Sequence, residues 1–336
     1  MKPAPLAVLA GGISLAALVA AQPFQLPTAN GALFERSGEE RFFVGTPGKS
    51  WEAGTFGCVR SDGHQLHEGL DIRGLKRDKR GEPADLVLAT ADGVVVYVNR
   101  RPTLSNYGNY VVLQHRVEGL DLYSLYAHLR EARAELKPGL RVRARQVLGV
   151  MGRTSNTRSG ISKDRAHVHF ELDLRLSDHF AAWRRLREPH ERNDHDEWNG
   201  QNLLGLDAAQ MLREQARLGA RFSLRRFLRD QTELCRVQVR ATDFSWLKRY
   251  APLIETNPRT VREGVAGYDL ALNYCGLPFR LIPRAPAEMR TATRFHLLSV
   301  NEREQAARPC RNLMVKRGGV WALGHNGERL LDLLTY

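Results

Sequence analysis

From residue 57 to about 180 the chain is cut at short intervals by turn dipeptides, and the stretches between them alternate or run apolar like strands. Val94-Val95-Val96-Tyr97-Val98 follows Asp92-Gly93, and Tyr110-Val111-Val112-Leu113 follows Gly108-Asn109. Leu122-Tyr123-Ser124-Leu125-Tyr126 comes next, then Pro138-Gly139 precedes Val142, Val147, Leu148 and Val150, and His167 to Leu174 alternates again. Many short strands at this spacing close into a sandwich or barrel, not a helical bundle. A helix is expected from Asp207, with Ala208, Leu212 and Ala216 on one face and Gly219 as its stop. Cys235 to Ala241 reads as a half-buried strand, and Leu313 to Val315, Gly318-Gly319, Val320 to Leu323 and Asn326-Gly327 read as hairpin segments.

These patterns divide the chain into an extended, Gly- and Pro-rich lead-in over 22–56, a β domain over 57–180, a charged helix and exposed loop over 181–205, and a smaller β-rich α+β domain over 206–336. With 336 residues, 43% of them hydrophobic, the chain has room for two ordinary cores. Residues 1–21 read as a secretory leader: Lys2, an apolar run from Leu6 to Val19, then Ala20 and Ala21. The run is too short and too broken by glycine for a membrane anchor, and no Cys follows it to take a lipid. The expectation is therefore an exported monomer, periplasmic or extracellular, without stable membrane insertion.

Net charge is +13, falling to +12 when Lys2 leaves with the leader. Outside the cytoplasm such a polycation meets anionic wall polymers and lipid head groups first, and its arginines are not interleaved with the stacking aromatics of a nucleic-acid module. Cys58, Cys235, Cys275 and Cys310 are too scattered for a zinc site of the paired-cysteine kind. Three of them lie in the last third, so a disulfide is expected there, with Cys58 either free or tying the two halves together.

The chemistry-bearing residues fall in three short segments. His67-Glu68-Gly69-Leu70-Asp71 offers an imidazole and a carboxylate, and Gly69 lets the backbone turn so that both can converge. Ala166-His167-Val168-His169-Phe170 puts two imidazoles on one face of a strand, since residues two apart point the same way. Tyr126-Ala127-His128-Leu129 ends a strand with one more imidazole. Two histidines and an aspartate make a donor set suited to catalytic zinc, three protein groups with a fourth position open. One of His167 and His169 can bind the metal while the other stands beside the attacking water. Glu68, adjacent to His67 on an extended segment, is expected to face solvent. His64, His115, His179 and His325 lack such company and read as structural, and His190 with His195 as a solvated loop.

In these residues the chain resembles the lysostaphin or LytM-type zinc endopeptidases, which cut peptide bonds in bacterial peptidoglycan. A His-x-x-x-Asp, a Tyr-x-His-Leu and a His-x-His occur in that family's order over residues 57–175. The resemblance implies an antiparallel β-sandwich with the duplicated hybrid motif of that family, zinc held by His67, Asp71 and His169, and His128 and His167 as the catalytic pair. Arg153 to Arg165 is longer and more charged than the family's loop and is expected to border the cleft. The region after 205 lies outside the resemblance, and wall targeting is the expectation for it. A wall-binding activator without activity, or a zinc peptidase acting on proteins, are the competing readings; the first typically lacks metal ligands, and none is missing here.

Overall fold

The computed structural model describes residues 23–158 and 160–336; the leader read from residues 1–21 lies outside them. Eleven strands carry the first two thirds: β1 Gly57–Arg60, β2 Gln65–His67, β3 Leu70–Arg73, β4 Leu86–Leu88, β5 Gly93–Asn99, β6 Asn109–Val117, β7 Leu120–Ala132, β8 Arg141–Val142, β9 Val147–Met151, β10 His167–Arg175 and β11 Leu203–Gly205. β1 and β2 form a hairpin of their own. The others make a nine-stranded sheet whose central path is β11-β10-β7-β6-β5-β8. β3 pairs with β10, while β9 bridges β4 and β7. Every one of these pairings is antiparallel. The result is the mainly β, antiparallel architecture that the turn spacing points to.

Register follows from apolar alternation. Val168, Phe170, Leu172 and Leu174 of β10 belong to the main core, so His167, His169, Glu171 and Asp173 must share the opposite face. Across the ladder His169 stands opposite Asp71 on β3 and Ala127 on β7. Directly opposed residues on neighbouring antiparallel strands project to the same side, which places Asp71 beside His169.

The remaining strands, β12 Cys235–Val239, β13 Gly267–Leu272, β14 Pro278–Arg284 and β15 Phe295–Val300, form a second antiparallel sheet ordered β14-β13-β12-β15, and β16 Met314–Arg317 with β17 Val320–Leu323 forms a hairpin. The largest apolar cluster runs through most of the described chain: Phe24, Phe42 and Phe43 of the lead-in, strands of the first sheet, Trp183, and residues as late as Leu334 belong to it. The helix at Ala208–Leu218 is capped by Asp207, which accepts from the Gln210 amide at 2.9 Å. Among the described residues no helix is long and apolar enough to cross a membrane.

Two expectations are corrected. No disulfide forms within the last third; Cys58 and Cys310 are bonded, with Cα atoms 5.4 Å apart, and Cys235 and Cys275 are free and buried. The cause is packing: the β1–β2 hairpin settles on the C-terminal third, where Leu66, Cys275 and Cys310 share a small core. Asn326-Gly327 is not a turn but the second and third residues of a helix, His325–Leu334. A Cβ on Gly327 would stand 2.3 Å from the Leu313 carbonyl, so this glycine serves close packing of helix on chain.

Candidate metal centre

Four imidazoles and one carboxylate meet on the polar face of β10. His67 Nε2 lies 3.1 Å from His169 Nδ1 and 3.2 Å from Asp71 Oδ1, and His169 Nδ1 lies 3.0 Å from that same oxygen. The edges of a zinc tetrahedron with bonds of about 2.0–2.1 Å measure roughly 3.3 Å, so the three donor atoms are already spaced to share one ion. They are the one group of this kind among the described residues, and all three side chains are buried. His190 and His195 do not join a second one; His195 is buried and bonded to the Tyr97 hydroxyl at 2.8 Å.

The far nitrogen of each imidazole is tied down, which fixes which nitrogen is bare. A carbonyl oxygen can only accept, so an imidazole nitrogen bonded to one must carry the proton. His67 Nδ1 donates to the Thr55 carbonyl at 2.7 Å, His128 Nδ1 to that of Thr154 at 2.8 Å, and His167 Nδ1 to that of Arg165 at 2.6 Å. His169 differs: its Nε2 donates to the Glu171 carboxylate at 2.6 Å, which in turn accepts from the Tyr107 hydroxyl at 2.7 Å. Neutral, each ring therefore offers one unprotonated nitrogen toward the group, as metal ligands and bases require.

His128 and His167 flank the three donors. Their ring centroids are 5.0 Å apart, and His167 Nε2 is 3.4 Å from Asp71 Oδ1. His128 is held in the left-handed region, at φ 59°, with its amide bonded to the Tyr107 carbonyl at 2.8 Å. A non-glycine residue pays strain for that conformation, and such residues concentrate at functional sites.

Burial lowers His67, and Asp71 only partly offsets this. Burial together with the neighbouring imidazoles holds His128 down at about 3. Burial alone would depress His169 as well, but its bonds to Asp71 and Glu171 outweigh that and raise it to about 10. Asp71 runs the other way: against burial, the His167 and His67 imidazoles keep it well below the usual carboxylate range. Arg60 reinforces this with an ion pair to Asp71 Oδ2 at 2.5 Å. Asp173, next along the same face, is pushed well up by burial and by Glu171.

The group opens into a cavity of about 1280 Å³. Ser155 to Thr157, Gly160, Ile161 and Arg165 border it, as expected of that charged loop, and so do Arg311, His325 and Arg329 from the C-terminal third. Glu68 does not face open solvent. It is half-buried and lines the cavity, because the chain turns there between β2 and β3, and burial with the nearby Glu171 raises its pKa. Sequence reasoning missed Glu171 and Tyr107. Glu171 had a readable signal, since it continues the His167, His169 alternation by two more residues.

Residues 65–179 match the model of Peptidase family M23. Solved structures similar to the chain include a zinc-containing peptidase from Vibrio cholerae, 27% identical over 32% of this chain and 26% of that one, with a TM-score of 0.24. A putative glycyl-glycine endopeptidase LytM from Ruminococcus gnavus is 29% identical over 32% of this chain and 39% of its own, TM-score 0.25. The catalytic domain of the antimicrobial peptidase lysostaphin from Staphylococcus simulans is 23% identical over 35% and 74%, TM-score 0.25. The chain thus spans well under half the length of the first two. No curated protein is significantly similar to it.

Proposed function

From a chain that carries a peptidase family M23 domain at residues 65–179, we propose a zinc endopeptidase that is exported and hydrolyses peptide bonds of bacterial peptidoglycan. The observation that carries the reading is the convergence of His67 Nε2, Asp71 Oδ1 and His169 Nδ1 within 4.8 Å of one another, with two further imidazoles at their side. Zinc bound there supplies a Lewis acid for the scissile carbonyl and lowers the pKa of an attacking water toward neutrality.

The chain's own residues do the rest. Thr55 and Glu171 orient His67 and His169 so that lone pairs, not N–H groups, would be offered to a bound ion. Arg60 Nη2 engages Asp71 Oδ2, leaving Oδ1 as the donor, and also lies 3.0 Å from His67 Nε2, a contact that a bound ion would displace. His128 and His167, each with Nδ1 occupied by a backbone carbonyl, present Nε2 to the reacting atoms. One of them takes the proton of the attacking water at its bare Nε2 and hands that same proton to the nitrogen of the leaving amine, while the other flanks the reacting atoms from the opposite ring. The cavity leads a polymer to these groups, and a net charge of +13 favours an anionic matrix such as the wall.

The test is to incubate the purified mature protein with peptidoglycan and with casein, with and without a chelator, and to identify new amino termini by mass spectrometry. New termini in peptidoglycan that vanish with chelator and return with zinc are expected. Chelator-insensitive cleavage, or cleavage of casein alone, would contradict the reading.

A further inference from the structure

The cavity wall opposite the sandwich comes from the C-terminal third, and its cations differ in how they are partnered. Of the arginines lining the cavity, Arg60 meets Asp71, Arg184 and Arg329 both meet Glu188, and Arg192 meets Asp194. Among the described residues Arg165 and Arg311 have no carboxylate at ion-pair distance. Arg165 gives its Nε to the Gly45 carbonyl at 2.9 Å and lies in the field of Asp71, so it belongs electrostatically to the metal-binding group. Arg311 is different. Its Nε is buried with no hydrogen-bond partner, as is that of Arg184, but Arg184 has Glu188 through its Nη1 whereas Arg311 lines the open space without a carboxylate.

A buried guanidinium N–H left unpaired costs free energy that a planar acceptor with two oxygens relieves, and a carboxylate matches that fork.

Arg311 is also fixed in place. Its neighbour Cys310 is bonded to Cys58, and Cys58 stands opposite Leu66 in the β1–β2 ladder, one residue before His67. The Asn326 side chain holds the Arg311 carbonyl at 3.0 Å. One disulfide and one ladder pair therefore tie the backbone of Arg311 to that of the histidine beside the metal position, the support that a specificity contact requires.

We propose that Arg311 binds a free carboxylate of the substrate, making the protein selective for peptides that carry an acidic group beside the bond to be cut. This rests on reading the cavity as a peptidase cleft. It gives the C-terminal third a part in substrate choice at the active site itself.

The test uses the zinc-loaded full chain and the tetrapeptide L-Ala-D-Glu-L-Lys-D-Ala with its carboxylates free or amidated, with binding followed by calorimetry. The free acid should bind roughly tenfold more tightly, the usual worth of one charge-assisted pair. Arg311→Gln should bring the two affinities within about threefold, and Arg311→Lys, which keeps the charge without the fork, should lie between. Breaking the tether with Cys58→Ser and Cys310→Ser together should also narrow the difference. Equal binding of both peptides by the wild type, or an undiminished preference in a folded Arg311→Gln, would overturn the proposal. A preference that depends on Arg311 in a protein that leaves peptidoglycan intact would uphold the anchor and sink the peptidase reading; digestion of peptidoglycan without any such preference would do the reverse.

Discussion

Replacing Glu171 by Gln isolates the electrostatic part of the support behind His169. Shape is retained, and the amide oxygen can still accept from His169 Nε2, now 2.6 Å from the carboxylate, while Tyr107 keeps an acceptor at 2.7 Å. What is lost is the negative charge. Hydrogen bonds to a charged partner contribute about 1.5–3 kcal/mol and neutral ones about 0.5–1.5, so the exchange removes roughly 1–1.5 kcal/mol from a bond that is buried at both ends. Imidazole basicity at Nδ1 falls with it, and zinc should bind about five- to fifteenfold more weakly, near the low end of what losing such supporting groups does. Competition against a chromogenic chelator measures this once the proton that zinc displaces from His169, whose pKa is about 10, is counted for both proteins. Asp173 provides an internal check, because burial first and Glu171 second keep its pKa well up. Once Glu171 is neutral, Asp173 ionises more readily and returns part of the charge, so Glu171→Gln with Asp173→Asn should lose more zinc affinity than Glu171→Gln alone. An unchanged zinc affinity in both variants would refute the view that charge behind His169 tunes the site.

Other outcomes follow from the same geometry. His128→Ala should keep stoichiometric zinc and lose cleavage by roughly a hundredfold or more, whereas His169→Ala should lose both, as read by elemental analysis and peptidoglycan digestion side by side. A Cβ on Gly69 would stand 2.5 Å from the Phe170 carbonyl and 3.0 Å from His169 Cε1, so Gly69→Ala should lower stability by about 1–3 kcal/mol and weaken zinc binding, seen in denaturant melts with and without metal. In chelator-treated protein the raised His169, at about 10, keeps its proton at pH 8. Because its folded pKa lies above the ordinary histidine value, its stabilising contribution is full below pH 6.5 and is lost as pH rises through 10, and zinc uptake at pH 8 should release about one proton, measurable by calorimetry in two buffers of different ionisation enthalpy. Burial pushes the Cys235 and Cys275 thiols up to about 12, so both should resist iodoacetamide at pH 8 until the protein is unfolded; prompt native labelling would contradict their burial.

The sandwich was readable because its signal is local: turn dipeptides and period-two alternation depend on neighbours in sequence, and β5, β6, β7 and β10 lie where those patterns fall. The histidines and Asp71 were readable as donor types at short spacings. What holds them was not. Thr55, Thr154 and Arg165 act through backbone carbonyls, which every residue possesses and no pattern marks. Cys58 found Cys310 because the β1–β2 hairpin packs on the C-terminal third, a contact 252 residues apart along the chain. Glu68 was misread for a related reason, since an extended segment was assumed where the backbone turns between two strands. Asn326-Gly327 carried turn chemistry but was used for close helix packing, where tertiary contact overrides local preference. The placement of Arg311 on the cavity wall depends on all of these long-range contacts at once.

The central claim is that one metal ion is shared by His67, Asp71 and His169, and anomalous diffraction at the zinc edge from crystals grown with equimolar zinc tests it most directly. The account predicts a single strong peak at about 2.0–2.2 Å from His67 Nε2, Asp71 Oδ1 and His169 Nδ1. A peak elsewhere, or one lacking any of those three contacts, would contradict it.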